Sequence, residues 1–210
     1  MDSKPTPQAT AAVEDGLAAA RHLYRNQIQA MTSLVGLFGR RLPPGEGREA
    51  FVDLRARFEA ATFAPYEEMT PDAEGRYEVD LAEVVRRVAS HLDPDIRHRF
   101  NIKAAPILAG AKRISALAQI LAELVIEMIR NGFAGRQGSA DVEILQARDG
   151  GVTIRLAQTG PTGTAPRRDS SDLGLAIADG LVRSLGGTVS RATEGPLLTE
   201  VSAPPEHRRR

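Results

Sequence analysis

The strongest constraint on the fold is a long helical repeat at the start of the chain. From about Gln8 to Arg41, apolar residues recur at three- and four-residue steps: Val13, Leu17, Ala20, Tyr24, Ile28, Met31, Val35 and Phe38. Leu42-Pro43-Pro44-Gly45 then ends the helix and supplies a turn. A second helix follows, and its apolar face carries Ala50, Phe51, Leu54, Phe58 and Ala61. The pattern predicts an antiparallel helical hairpin.

One helical hairpin buries little apolar surface by itself. Pairing two hairpins in a four-helix bundle buries the apolar stripes of both. We therefore expect a homodimer, in which residues 11–70 form the dimerisation domain after a flexible N-terminus at 1–10.

The pattern changes after the polar stretch 70–75, which marks the predicted domain boundary. Residues 76–203 mix helix and strand signals, and 204–210 form a basic tail. The predicted elements are a helix from Val79 to about Leu92, a strand at 100–103, an apolar helix at 114–133, a hairpin at 142–157, a helix at 173–185 and a closing hairpin at 188–201. This order indicates an α+β fold whose second domain is a two-layer sandwich, a mixed sheet with helices on one face.

Composition excludes several classes of function. Lys plus Arg and Asp plus Glu are each 27, so charge gives no reason to expect nucleic acid or an acidic membrane as partner. The chain has no cysteine, and its four histidines lack metal-ligand spacing, so no metal site is expected. No run approaches the ~20 apolar residues of a membrane span, which indicates a cytoplasmic protein. His91 and His98 are expected at the surface.

A polar track lies on the first helix. His22, Arg25, Asn26, Gln29 and Ser33 share one face. Neutral imidazole is a competent nucleophile, Arg25 suits phosphoryl charge, and Asn26 suits a phosphoryl oxygen or a water. From periodicity alone, a histidine satisfied by solvent or by a neighbouring side chain is the favoured interpretation of His22.

The sequence His-Leu-Tyr-Arg-Asn-Gln-Ile-Gln that begins at His22 resembles the phosphoacceptor helix of the HisKA_2 and HWE classes of sensor histidine kinases. The resemblance implies that His22 is the phosphoacceptor, Arg25 the basic residue of the motif, Asn26 the asparagine one turn on and Gln29 the closing glutamine. Leu23 departs from the arginine of these classes.

The resemblance continues to about residue 203 and implies a domain like a GHKL (Bergerat) ATPase. Residues 122–133 resemble the N-box helix, N-E-L-V-T-N-A-L-K-H-A-F. In the preferred register Glu123 keeps the glutamate of the motif, and Glu127 replaces the metal-binding asparagine. A register shifted by four residues instead places Asn131 on that asparagine and Glu127 on the glutamate.

Two further motifs depart from the kinase pattern. Residues 152–162 align with a strand that ends in D-x-G-x-G, with Gln158 at the aspartate, Gly160 at the first glycine and Thr162 at the second. The following G-L-G-L motif keeps Gly174 but has Asp172 as its first residue. By this resemblance the changes remove a metal ligand, the adenine contact and backbone clearance, which implies that no ATP cofactor is bound.

A phosphorylatable histidine beside a degenerate kinase domain resembles the ChpT-type histidine phosphotransferases. The resemblance implies a relay through His22 between receiver domains of a hybrid histidine kinase and of response regulators, without ATP. One alternative is an ATP-dependent HisKA_2 or HWE kinase core. Another is a pseudokinase that binds or dephosphorylates response regulators.

Overall fold

The computed structural model describes residues 7–63, 70–133, 136–159, 171–192 and 196–206. The chain divides into two compact units, Met1–Phe51 and Val52–Arg210. The predicted boundary at 70–75 is C-terminal to this division, and the domain assignment from sequence stays a prediction.

The first unit contains helix α1, Pro7–Arg41, and the first residues of helix α2, Glu46–Ala61. The two predicted helices and the turn at Pro43-Pro44-Gly45 are thus present. Gly39 allows α1 to lie close to Phe51 of α2, because a Cβ at position 39 would lie only 2.9 Å from the Phe51 Cβ. Five large apolar side chains of α1 are about half exposed or more: Leu23, Met31, Leu34, Leu37 and Phe38. The four-helix bundle stays a prediction.

The second unit is an α+β domain. Its further elements are β1 Arg76–Val79, α3 Ala82–Leu92, β2 His98–Ala104, β3 Ile107–Gly110, α4 Ala111–Glu127, a π-helical turn Met128–Gly132, β4 Gly138–Gln146, β5 Val152–Gln158, α5 Ser171–Ser184, β6 Thr188–Arg191 and β7 Leu198–Ala203. Five strands form a mixed sheet in the order β2-β4-β5-β7-β6, in which only the β2–β4 pair is parallel among the described strands. The predicted α+β class and mixed sheet are confirmed.

The core lies between this sheet and the helices. Along β5, Val152, Ile154 and Leu156 are buried, and the residues between them are more exposed, as the period of a strand with one covered face requires. Nearly every residue of α4 from Ile114 onward is buried, and α4 contributes the largest share of the apolar core. Because α4 is buried on nearly all sides, its sequence is an almost continuous run of apolar residues.

Three sequence predictions about local structure are wrong. Residues 76–79 form a strand that pairs with Ile107–Gly110, and α3 begins only at Ala82, whose N–H donates to the Asp80 carboxylate over 2.9 Å. The buried residues of α2 are Ala56 and Ala60, because small side chains allow close packing, whereas Ala50, Leu54 and Ala61 of the predicted apolar face are exposed.

The third wrong prediction is the surface position of His98. The imidazole is buried, stacks on the Phe133 ring with centroids 4.6 Å apart, and places Nδ1 3.0 Å from the Asp93 carboxylate. A buried histidine needs such partners. Asp93 is only five residues away, but Phe133 and the Arg136 carbonyl, 3.0 Å from Nε2, come from a distant part of the sequence. Among the described residues, no helix has both the length and the apolar character that a membrane crossing requires.

Candidate functional site

The predicted phosphoacceptor track lies on α1. Helix α1 is continuous from Pro7 to Arg41, so the backbones of His22, Arg25, Asn26 and Gln29 follow one helical path. Their spacing places them on one face of that helix. The side chains of Asn26 and Gln29 are exposed, whereas those of His22 and Arg25 lie outside the described residues.

The second predicted site, the degenerate nucleotide site, lies in the second unit. We use the name charged cleft for the site lined by Asp53, Arg57, Glu123, Glu127, Arg130, Asn131 and Gly174. Glu123 and Glu127 come from α4 and Gly174 from α5, so the structure brings these three predicted residues together. A Cβ on Gly174 would lie 2.6 Å from Oε2 of Glu123. Glycine is therefore needed where α5 passes this carboxylate.

Glu123 makes a two-pronged ion pair with Arg57 of α2. Arg57 Nε donates to Glu123 Oε1 over 2.7 Å, and Nη2 donates to Oε2 over 2.9 Å. The Glu123 side chain is only 4% exposed. Burial lowers the pKa of Arg57, but the hydrogen bonds and the charge of Glu123 outweigh burial, so its pKa lies above the usual range. The guanidinium stays charged and neutralises the buried carboxylate.

A second ion pair of reversed polarity lies beside the first. Arg130 donates to Asp53 Oδ1 from Nε over 3.0 Å and from Nη2 over 2.7 Å. One turn before Arg130 along the helix, the Glu127 carboxylate accepts a hydrogen bond of 2.8 Å from the Asn131 side chain. The carboxylates of the cleft therefore already have cationic or amide partners.

Gln158, at the position of the adenine-binding aspartate, ends β5 and is buried. Its Oε1 accepts a hydrogen bond of 3.2 Å from the backbone N–H of Leu197. This contact uses the side-chain carbonyl to hold the end of the neighbouring strand. Gly160 and Thr162 lie outside the described residues, and Asp172 lies in the first turn of α5 with its side chain outside them.

The two carboxylates that α4 contributes to the charged cleft are both engaged by other side chains of the protein. A guanidinium holds the one carboxylate that the N-box resemblance retains, and an amide holds the carboxylate at the expected metal-ligand position. In the part of the chain that the structure describes, no three histidine, aspartate or glutamate side chains cluster closely enough to hold a metal ion.

Sequence reasoning missed Asp53, Arg57 and Arg130. Asp53 and Arg57 are one turn apart on α2, and their partners Glu123 and Arg130 are about two turns apart on α4 and the turn that follows it, so each pair shares a helical face. The available signal was this matching of charges at helical spacing. It does not identify the partner helix, because surface charges at the same spacing are common.

Comparisons with known proteins agree with this architecture. No protein-family model matches the chain. The sensor histidine kinase ZraS of Klebsiella oxytoca is 26% identical over 206 residues, which cover 87% of this chain and 44% of the relative. The chain thus spans less than half the length of that curated relative.

Among solved structures, the histidine kinase domain of the blue-light activated histidine kinase from Erythrobacter litoralis EL346 matches with a TM-score of 0.57 and 16% identity, covering 94% of both chains. A structure of that blue-light activated kinase in which the match covers 62% of its chain and 90% of this one also gives 0.57, at 15% identity. The fold is that of a histidine kinase domain.

Proposed function

We propose that the protein is a histidine phosphotransferase that relays a phosphoryl group through His22 between receiver-domain aspartates, without binding ATP. The observation that carries the proposal is the Arg57–Glu123 ion pair, which occupies the one N-box carboxylate that the resemblance retains. The fold is that of a histidine kinase domain, and the two motif carboxylates on α4, Glu123 and Glu127, accept hydrogen bonds from Arg57 and Asn131.

The chemistry requires little from this chain beyond a positioned imidazole. The unprotonated ring nitrogen of His22 attacks the phosphorus of an aspartyl phosphate in line. The new N–P bond forms as the P–O bond to the aspartate breaks, and the aspartate leaves as a carboxylate. The other ring nitrogen keeps its proton. A second receiver's aspartate then attacks the phosphorus, the new O–P bond forms as the N–P bond breaks, and His22 leaves as neutral imidazole. A Mg²⁺ ion bound by that receiver would neutralise the phosphoryl oxygens.

The exposed side chains of α1 support this role. Asn26 and Gln29 lie on the histidine face and are exposed, as groups that meet an incoming receiver must be. In our proposal Arg25 neutralises phosphoryl charge. The half-exposed Met31, Leu34, Leu37 and Phe38 suit burial against a second copy of the chain. The proposed working unit is a homodimer.

A second candidate is an ATP-dependent kinase core. It is favoured by the sequence similarity to ZraS, a sensor histidine kinase, which extends over 87% of this chain. That similarity concerns the family as a whole, whereas the contacts of Arg57 and Asn131 concern the site itself. We therefore rank the phosphotransferase first.

Transfer from a phosphorylated receiver tests the proposal. A receiver domain carrying labelled aspartyl phosphate is mixed with the wild-type protein, with His22→Ala and with His91→Gln, a matched control that removes a histidine of α3. We expect label on the wild type and the control, and at least a ~100-fold loss in His22→Ala because the nucleophile is gone. Label on His22→Ala would contradict the assignment. Binding of the receiver by all three proteins without transfer would favour the pseudokinase.

A further inference from the structure

Residues 52–61 of α2 belong to the second unit, although the sequence assigns the whole helix to the dimerisation hairpin. Two side chains of this segment, Asp53 and Arg57, reach residues of opposite charge in the charged cleft. The Asp53 carboxylate pairs with the Arg130 guanidinium, and the Arg57 guanidinium pairs with the Glu123 carboxylate. Such reciprocal polarity fixes the register of the helix, because a shift by one turn would bring like charges together.

The contact is close because the buried residues of the segment are small. Ala56 and Ala60 are 0% and 2% exposed and belong to the apolar core of the second unit. On the other edge of the segment, the Glu59 carboxylate lies 2.9 Å from Nδ1 of His91 on α3. The segment is thus held by apolar packing along its middle and by ion pairs on both sides.

The position of Arg57 is the informative detail. Its guanidinium lies where α4 and α5 meet, within ion-pair distance of Glu123 and 3.1 Å from the place of a Cβ on Gly174. These are the residues that the kinase resemblance assigns to the nucleotide site. A side-chain cation from α2 therefore lies directly against two of these residues, Glu123 and Gly174.

The geometry points to residues 52–61 of α2 as a built-in plug of the former nucleotide site, with Arg57 as the resident cation. The plug goes beyond the relay, because it holds whether or not His22 carries phosphate. In this proposal, two features keep a nucleotide out: the substituted motif residues, and the packing of residues 52–61 of α2 against α4 and α5. By the same proposal, a ligand that uses the Glu123 carboxylate must first displace Arg57, which requires the segment to lift as a local unit.

Charge reversal tests the plug in the full-length protein. Asp53→Arg places two cations together, and Asp53→Arg with Arg130→Glu restores an opposite-charge pair. Ala50→Arg adds the same charge at an exposed position of the same helix and serves as the control. Amide hydrogen exchange is followed over residues 52–61, with α4 as the reference for the global fold.

We expect Asp53→Arg to speed exchange of residues 52–61 by about 10- to 100-fold while α4 stays protected, and the double variant to recover most of the loss. Carbodiimide labelling of Glu123 should rise about tenfold in Asp53→Arg and fall again in the double variant. Asp53→Asn gives a smaller change in the same direction and remains informative if Asp53→Arg does not fold.

Two results would overturn the plug: exchange in Asp53→Arg and Asp53→Asn that matches Ala50→Arg, or charge reversal that the double variant does not repair. Neither readout involves phosphoryl transfer, so a failure here is distinct from a failure of His22 as phosphoacceptor. Loss of label on His22 with an intact pattern of exchange would leave the plug standing and remove the relay.

Discussion

The polar track of α1 and the charged cleft of the second unit use polar side chains in opposite ways. On α1, Asn26 and Gln29 are exposed. In the charged cleft, Glu123 is buried and Arg57 holds it with two hydrogen bonds. Exposed polar groups can form hydrogen bonds with a binding partner. Buried ion pairs must stay paired, because breaking one lowers the stability of the fold. In the proposed function, the first region serves recognition, whereas the contacts of the second region stabilise the fold.

Removing Arg57 should have the largest effect on stability. Arg57→Met leaves the Glu123 carboxylate buried without its cation, so we expect the second unit to lose about 3 kcal/mol of unfolding free energy. Replacing both residues, Arg57→Met with Glu123→Leu, should recover most of that loss because neither charge remains. Urea unfolding measures the unfolding free energy of both variants. If Arg57→Met is as stable as the wild type, the ion pair does not contribute to stability.

Gly174 gives the next largest effect, and α5 supplies its own control. A Cβ at Gly174 would meet Glu123 Oε2 at 2.6 Å, whereas nothing lies within 4 Å of a Cβ at Gly180. Gly174→Ala should destabilise the second unit by about 1–2 kcal/mol, because the pinned carboxylate must move. Gly180→Ala should stabilise it by about 0.5–1 kcal/mol through helix propensity. Equal thermal midpoints for the two variants would argue against a tight α4–α5 contact at the cleft.

The Glu59–His91 pair predicts a modest dependence of stability on pH. The hydrogen bond to Glu59 raises the pKa of His91 despite burial and despite Arg55, whose Nη2 lies 3.1 Å from Nε2. Burial raises the pKa of Glu59, but His91 and Arg55 outweigh it and the net shift is downward. Both shifts identify the charged forms as the stabilising ones.

The raised His91 pKa means that its contribution is complete below the unfolded pKa of about 6.5 and is lost as pH rises through the folded value. The Glu59 contribution is present above about pH 4.3 and is lost at lower pH. Between pH 6 and 8 the wild type should therefore lose about 0.5–1 kcal/mol relative to His91→Gln. Denaturant titrations at several pH values check the difference, and parallel profiles would refute the pair's role.

The smallest stability effect is expected on α1, where it sharpens the contrast. Asn26→Ala should change the unfolding free energy by less than about 0.5 kcal/mol, since the side chain is exposed. The same variant should slow transfer to His22 by about tenfold if Asn26 contacts the phosphoryl group. Ser33→Ala, farther along the same face, is the control for transfer. A large loss of stability in Asn26→Ala would show instead that this side chain helps to hold the fold together.

The sequence predicted the parts of the fold that local periodicity determines. Helix α1, the apolar run of α4 and the β4–β5 hairpin were all found close to their observed bounds, since each carries a repeat of one period over many residues. Strands β1 and β3 were missed because each has only four residues and pairs with a strand far along the chain, whereas the equally short β6 belongs to a hairpin with its own turn sequence.

The remaining errors concern partners that lie far apart in the chain. The buried face of α2 was misassigned because Leu54 and Phe58 outrank Ala56 and Ala60 on hydrophobicity, whereas close helix packing favours the small residues. The resemblance identified the motif residues of the charged cleft. The ion pair between Glu123 and Arg57, however, joins residues 66 positions apart in the chain. Local spacing contains no information about such a contact.

Phosphorylation at His22 from two donors, in parallel, tests the central claim most directly. The wild-type protein is incubated with labelled Mg·ATP alone or with a receiver carrying labelled aspartyl phosphate, and acid-labile label is mapped by residue. The account predicts label on His22 from the receiver and none from ATP. Label on His22 from ATP alone would show that the charged cleft still serves a kinase and would contradict the account.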